Sequence, residues 1–169
     1  MNSDCLACSI AAKQIKMDTL YEDDTVIAVL DTKGANIGQM LLFPKRHVPI
    51  IEQLSAEEWK RMGIVGNALS VALFEALAPK GTNMFVANGV AAGQTVAHVM
   101  MYIIPRQEKD DVGLTWNGKA LSEQQLSSVE LKIKESMEEK KEDLPKPPPI
   151  RQLPTDSVSL IQKQLFRRP

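Results

Sequence analysis

Few side chains in this sequence could hold a metal ion or attack an electrophile. Cys5 and Cys8 stand together in "CLAC", His47 ends "PKRH", and His98 opens the apolar run of "QTVAHVMMYIIPR". They are all the cysteines and histidines in 169 residues. In a reducing compartment a CxxC pair points to metal binding or redox chemistry more than to a structural disulfide. A thioredoxin-like βαβ context is missing around it. His98 is open to two readings, as a ligand or as a hydrogen-bonded core histidine.

The elements that must position these residues follow from periodicity. "TVIAVLD" (25–31) and "QMLLFP" (39–44) are short apolar runs joined by "TKGANIG", the pattern of a hairpin. Ser55 and Glu58 form a capping box. Behind them Trp59, Met62, Leu69, Leu73 and Leu77 recur at helical spacing until Pro79. Two further strands are expected at 82–88 and 96–105, joined by "GVAAGQT". A second helix starts at a Ser122–Gln125 box and carries Leu126, Val129, Ile133 and Met137 on one stripe, with a charged opposite face. In the expected last strand, the period of two sets His98, Met100 and Tyr102 on one face and Val99, Met101 and Ile103 on the other.

With these elements placed, the sequence resembles the histidine-triad (HIT) family. "GQTVAHVMMYIIPR" is similar to the family signature, which reads GQ, x, V, x, H, x, H, x, H, two apolar residues and often PR. "YEDDTVIAVLD", "MLLFPKRHVPIIEQLS" and "NGVAAGQTV" follow the same order, so the likeness runs from Cys5 to about Met137. It implies an α+β, HIT-like fold: an antiparallel five-stranded sheet with a long helix and a C-terminal helix, paired as a homodimer. It also implies a zinc site, because HIT proteins of the CxxC type hold zinc with the two cysteines, the histidine ending the "PKRH" strand and the first triad histidine. Those positions are Cys5, Cys8, His47 and His98. The donor chemistry agrees, since Cys2His2 is a closed, structural zinc sphere with no position left for a substrate.

The triad itself is degenerate. His98 keeps the first position, but Met100 stands at the second, where the family has its nucleophile, and Tyr102 at the third. A thioether has no proton to lose and is a weak nucleophile towards phosphorus. A tyrosine would need its pKa of about 10 lowered to replace it. The resemblance also gives Asp31 as the ribose-binding acid and Gly93, Gln94 and Thr95 as the phosphate loop, whose backbone amides would face an anion. Both assignments compete with simple turn chemistry at Asp31 and Gly93. The family's phosphate-side asparagine position falls on Ala87, with Asn88 next to it, and Gln39 stands where many relatives have histidine.

Length and hydrophobic content suit one domain plus appendages. That domain is expected over 1–142, a Pro-rich linker over 143–154, and a docking tail over 155–169 anchored by Leu160, Ile161, Leu165 and Phe166. From Leu144 onward there are five Lys or Arg against one Asp, so the tail carries about plus four. The whole chain is at minus one, which gives no general field for nucleic acid, and Arg167 and Arg168 add only a small one. No stretch has the length of a membrane span or signal core, and a cytoplasmic location is expected. Function is then expected to be that of a zinc-stabilised pseudoenzyme that binds a nucleoside monophosphate, a protein partner through 144–169, or both. The alternative is a nucleotidyl hydrolase or transferase with a non-standard nucleophile, acting on nucleoside phosphoramidates or dinucleoside polyphosphates.

Overall fold

This computed structural model describes residues 5–140, and they open on a short helix, α1 (Leu6–Ala11), whose Ala7, Cys8, Ser9 and Ile10 are buried. Strands β1 (Thr19–Glu22), β2 (Val26–Leu30) and β3 (Met40–Pro44) follow as an antiparallel meander. Next come the long helix α2 (Ala56–Leu77), the strands β4 (Gly81–Val86) and β5 (Met101–Arg106), and finally α3 (Glu123–Glu138). The sheet order is β1-β2-β3-β5-β4, antiparallel throughout, so the last strand among the described residues sits between β3 and β4.

Every residue of β3 and the first four of β2 are buried, which is why both strands read as continuous apolar runs rather than as alternations. Both faces of the sheet are covered. Val26, Ala28, Leu42, Val99, Met101 and Ile103 pack with Met62, Val65 and Leu73 of α2 on one side. Ile27, Val29, Leu41, Phe43 and Met100 pack with Cys5, Ala7, Cys8 and Ile10 on the other. The period-two division of 98–103 expected from the sequence is therefore the division between the two core clusters.

Helix α2 begins at the Ser55 box, with the Ser55 hydroxyl accepting from Glu58 N and the Glu58 carboxylate accepting from Ser55 N. It ends where Ala78 takes a left-handed conformation. Its packing allows close approach: a Cβ on Gly66 would lie 2.8 Å from Met84 Cε and 2.9 Å from Met101 Sδ. Within the expected stripe, Met62 and Leu73 are buried, whereas Trp59 and Leu77 at the two ends are well exposed.

Two strand limits differ from the periodicity. β1 was not marked by any apolar run, because only Tyr21 of its four residues is part-buried. β5 starts at Met101, not at 96, because His98 N bonds back to Val96 O at 2.7 Å and Val99 N goes to Val48 O at 2.7 Å, outside the strand ladder.

Among the described residues, those to Asn117 belong to one compact unit and those from Gly118, with α3, to another. α3 opens on the expected Ser122–Gln125 box. The expected limit at 142, the linker 143–154, and the tail with Leu160, Ile161, Leu165, Phe166, Arg167 and Arg168 lie outside the described residues. Among the described residues no helix is long and apolar enough to cross a membrane.

Candidate metal centre and the altered triad face

α1 packs across the sheet face that carries Phe43 and Met100, and this brings the N-terminal cysteines to the two histidines. Cys5 caps α1 at its N-terminus and Cys8 lies one turn on, so both sulfurs leave the same end of one helix. His47 follows β3 after "PKR", and His98 lies just before β5. One donor atom from each of the four falls within 4.8 Å of every other. Cys5 Sγ is 3.5 Å from His98 Nδ1, Cys8 Sγ is 3.3 Å from His47 Nδ1, and Cys8 Sγ is 3.8 Å from His98 Nδ1.

Those separations can be compared with a zinc tetrahedron. With Zn–S of about 2.3 Å and Zn–N of about 2.0–2.1 Å, neighbouring donors stand roughly 3.3–3.8 Å apart. The donor types and the spacings both fit. The second nitrogen of His98 adds to the fit: Nε2 lies 2.8 Å from the Pro44 carbonyl oxygen, which can only accept. Nε2 must therefore carry the proton, leaving Nδ1 as the bare donor facing the sulfurs. Burial pushes the His98 pKa below the ordinary imidazole value, the direction that favours the neutral ring a metal ligand needs. His98 is 1% exposed, wedged edge-on against Phe43 and His47.

The triad strand runs on from His98 into core. Met100 is 5% exposed and belongs to the cluster of Cys5, Cys8, Ile10 and Phe43, so the nucleophile position is occupied by a packed, apolar side chain. Tyr102 is part-buried and stacks on Phe85 of β4, with ring centroids 5.0 Å apart and planes 13° from parallel.

Three of the four residues expected around a nucleotide, Asp31, Gly93 and Gln94, are already hydrogen-bonded within the chain. Asp31 Oδ1 accepts from Lys33 N at 2.9 Å, a turn bond, and Oδ2 accepts from Gln39 Nε2 at 2.6 Å. Gly93 takes φ +87°, a conformation that favours glycine, and ends a short 3-10 turn, Val90–Ala92. Gln94 turns inward: its Oε1 accepts from Gly89 N at 2.7 Å, and its Nε2 donates to Pro49 O at 2.7 Å and Val96 O at 2.8 Å. Thr95 is exposed. Asn88 accepts from Ile51 N at 2.9 Å and donates to Glu52 at 2.9 Å, tying the same loop to the start of the α2 approach.

Sequence reasoning missed the Pro44 carbonyl, whose role depends on backbone direction that no side-chain pattern reports. It also missed Arg106, which makes a two-pronged pair with Asp110 (2.7 and 2.8 Å) and donates to Asn83 and to the Val112 carbonyl. That pair, joined by Asn36, fastens the chain beyond β5 to the sheet, and it holds the Asp110 carboxyl well below the usual range. The available signal was an acid four residues beyond the arginine of "IIPR".

Comparison with known proteins agrees with the geometry. The HIT domain matches residues 12–109, and the chain belongs to the HIT family. It is 34% identical over 117 residues to Protein hit of Bacillus subtilis, covering 69% of this chain and 81% of that one. It is also 34% identical over 110 residues to an Arabidopsis thaliana protein named adenylylsulfatase, but that match takes 65% of this chain and only 56% of the plant protein. Among solved structures, a Bacillus anthracis HIT family protein superposes with a TM-score of 0.75 at 30% identity, covering 80% of this chain and 99% of that one. A zinc-bound histidine triad family protein from Mycobacterium smegmatis superposes at 0.62 with 27% identity, over 69% and 84% of the two chains.

Proposed function

We propose that this HIT-family chain is a zinc-stabilised binding protein that has given up nucleotidyl transfer. The observation that carries the proposal is the burial of Met100 beneath α1. A group attacking phosphorus must reach substrate and must offer an electron pair that is strongly nucleophilic towards phosphorus, which a thioether does not. Met100 offers neither, and its place in the core means that the change from a nucleophile is built into the packing.

Zinc at Cys5, Cys8, His47 and His98 would supply no substrate position, because four protein donors close the sphere. Its contribution would be to hold α1 against the sheet. The zinc-bound relative from Mycobacterium smegmatis supports this part of the proposal. The inward bonds of Asp31 and Gln94 count against a preformed pocket for a nucleoside monophosphate, so the proposal places the main activity in protein binding. The tail 144–169 is the expected partner segment.

Two observations favour the enzyme alternative: the Arabidopsis relative is named adenylylsulfatase, and Tyr102 keeps part of its surface exposed on the triad strand. Incubation with AMP phosphoramidate, a dinucleoside polyphosphate and adenylyl sulfate separates the two. The binding proposal expects no turnover of any of them. Turnover abolished by Tyr102→Phe would replace it with the enzyme alternative. Calorimetry with AMP and GMP tests for a retained nucleotide, and a pulldown with and without residues 144–169 tests the tail.

A further inference from the structure

Helix α2 and the edge strand β1 leave a trough between them, on the sheet face opposite to Cys5, Cys8 and Met100. Its deeper part, of about 520 Å³, has Met40, Leu69 and Leu73 for a floor and Leu20, Ile37 and Leu77 for a rim, and no residue that lines it is polar or charged. A second hollow of about 340 Å³ shares Leu20, Leu69 and Ala72 and carries the trough on past Ile64 to Arg61. From Arg61 to Leu77 the helix rises about 24 Å. Leu20, Ile37, Ile64 and Leu77 are 45, 93, 52 and 46% exposed, and an exposed apolar rim of this extent marks a binding surface.

The charges around the trough indicate what fills it. Residues 18–31, which contain β1 and β2, and residues 62–77 of α2 carry Asp18, Glu22, Asp23, Asp24, Asp31 and Glu75 and no lysine or arginine. Lys13 and Lys45 pair with Glu22, and Arg61 pairs with Asp23. Asp18 and Asp24, which flank β1, and Glu75, between Ala72 and Ala76 on α2, are exposed and make no ion pair among the described residues. Against them stands Lys33, in the loop that carries Ile37.

We propose that this trough docks an amphipathic helix of a partner protein, apolar on one face and rich in lysine or arginine beside it. A helix suits the site better than a strand. β1 has only four residues and a bulge between Thr19 and Tyr21, which spoils its free edge for strand addition. Ala68, Ala72 and Ala76 recur at every fourth residue, so α2 presents a low ridge against which a second helix can lie closely. Anchors at i, i+4, i+7 and i+11 span about 16 Å, which the trough accommodates. Bases beside those anchors would meet Asp18, Asp24 and Glu75, adding association rate and selectivity more than affinity. This surface belongs to the domain itself and is additional to the tail; neither zinc nor triad chemistry enters it.

The test uses the full chain and a fluorescein-labelled synthetic helix with leucines at i, i+4, i+7 and i+11 and lysines on its other face. A twin peptide has glutamates in place of the lysines. In anisotropy titrations the lysine peptide is expected to bind and the twin to bind about tenfold more weakly, with added salt narrowing the difference. Ala72→Lys lays a long cation across the trough and should weaken the lysine peptide about tenfold. Val71→Lys, one residue back and outside the lining, adds the same charge and should leave binding within about twofold. Equal affinity for the two peptides would overturn the basic partner, and equal losses in the two variants would overturn the site. Melting temperature and sedimentation of Ala72→Lys separate folding from docking. If the parent binds neither peptide and Ala72→Lys lowers the melting temperature, the trough is filled within the chain; if Ala72→Lys lowers the mass, a second copy fills it. Either result overturns the proposal.

Discussion

His98 Nε2–H donates to the Pro44 carbonyl oxygen at 2.8 Å, and this single bond aims the opposite nitrogen, Nδ1, at Cys5 Sγ 3.5 Å away. The histidine is thus oriented by the end of β3, while the cysteines arrive on α1. A metal ion between them would join the first residues of the chain to the middle of the sheet.

Zinc should therefore act as a folding ligand. Elemental analysis after purification without chelator is expected to give about one equivalent per chain. Removing it, or substituting Cys8→Ser, should lower the melting temperature by about 10 °C, from several kcal/mol of linked binding free energy. Less than about half an equivalent, or a melting temperature indifferent to chelator, would defeat the assignment.

Met100→His returns the family's residue to the second triad position, yet it should not return the chemistry. The imidazole would enter a site that is 5% exposed among Cys5, Cys8, Ile10 and Phe43. An unpaired polar group there should cost about 1–3 kcal/mol in chemical denaturation, whereas Met100→Leu should stay within about 1.5 kcal/mol of the parent. Gain of phosphoramidate turnover by Met100→His would show that the position is accessible after all.

What was legible in the sequence differs between the two halves of the site. The donors were visible because cysteine and histidine are rare here, and the helices because Ser55–Glu58 and Ser122–Gln125 announce their own first turns. The sidedness of Val99, Met100 and Met101 was visible from alternation alone. Strand β1 was not, since an edge strand with Leu20 and Thr19 exposed has no buried face to imprint a pattern. Nor was the start of β5, where apolar residues continue through 96–100 while the hydrogen bond of Val99 goes to the Val48 carbonyl. The direction of Gln94 was equally hidden: a side chain able to face a ligand was expected to do so, but the backbone of its own loop and the Pro49 carbonyl use all of its polar atoms.

Gly38 is the glycine with the least freedom to change. Its φ is +90°, and a Cβ there would come 2.5 Å from Leu77 Cδ1 and 3.4 Å from Leu73 Cδ1, at the C-terminal end of α2. Gly38→Ala should cost about 2 kcal/mol through strain and displacement of Leu77. Gly113→Ala, with nothing within 4 Å, serves as the control and should be near neutral. Equal midpoints for the two variants in urea would remove the strain argument.

Acid should weaken the joint between α2 and the segment carrying His47. The Arg46 guanidinium holds the Glu58 carboxylate with two bonds, Nε at 2.8 Å and the terminal nitrogen at 2.7 Å, while Ser55 N donates to the same group. Arg46 first, and then Ser55, outweigh burial and lower the Glu58 pKa from 4.5 to about 2. A depressed pKa contributes stability that is fully present above the unfolded value and lost as pH falls through the folded value. Glu58→Gln should therefore cost about 1.5 kcal/mol at pH 7, limited because Arg46 is half exposed and screened. The gap between parent and variant should narrow below pH 4.5 and close near pH 2. Urea denaturation of both proteins across that range is the measurement, and a gap that stays constant with pH would assign the loss to the helix cap rather than to the charge.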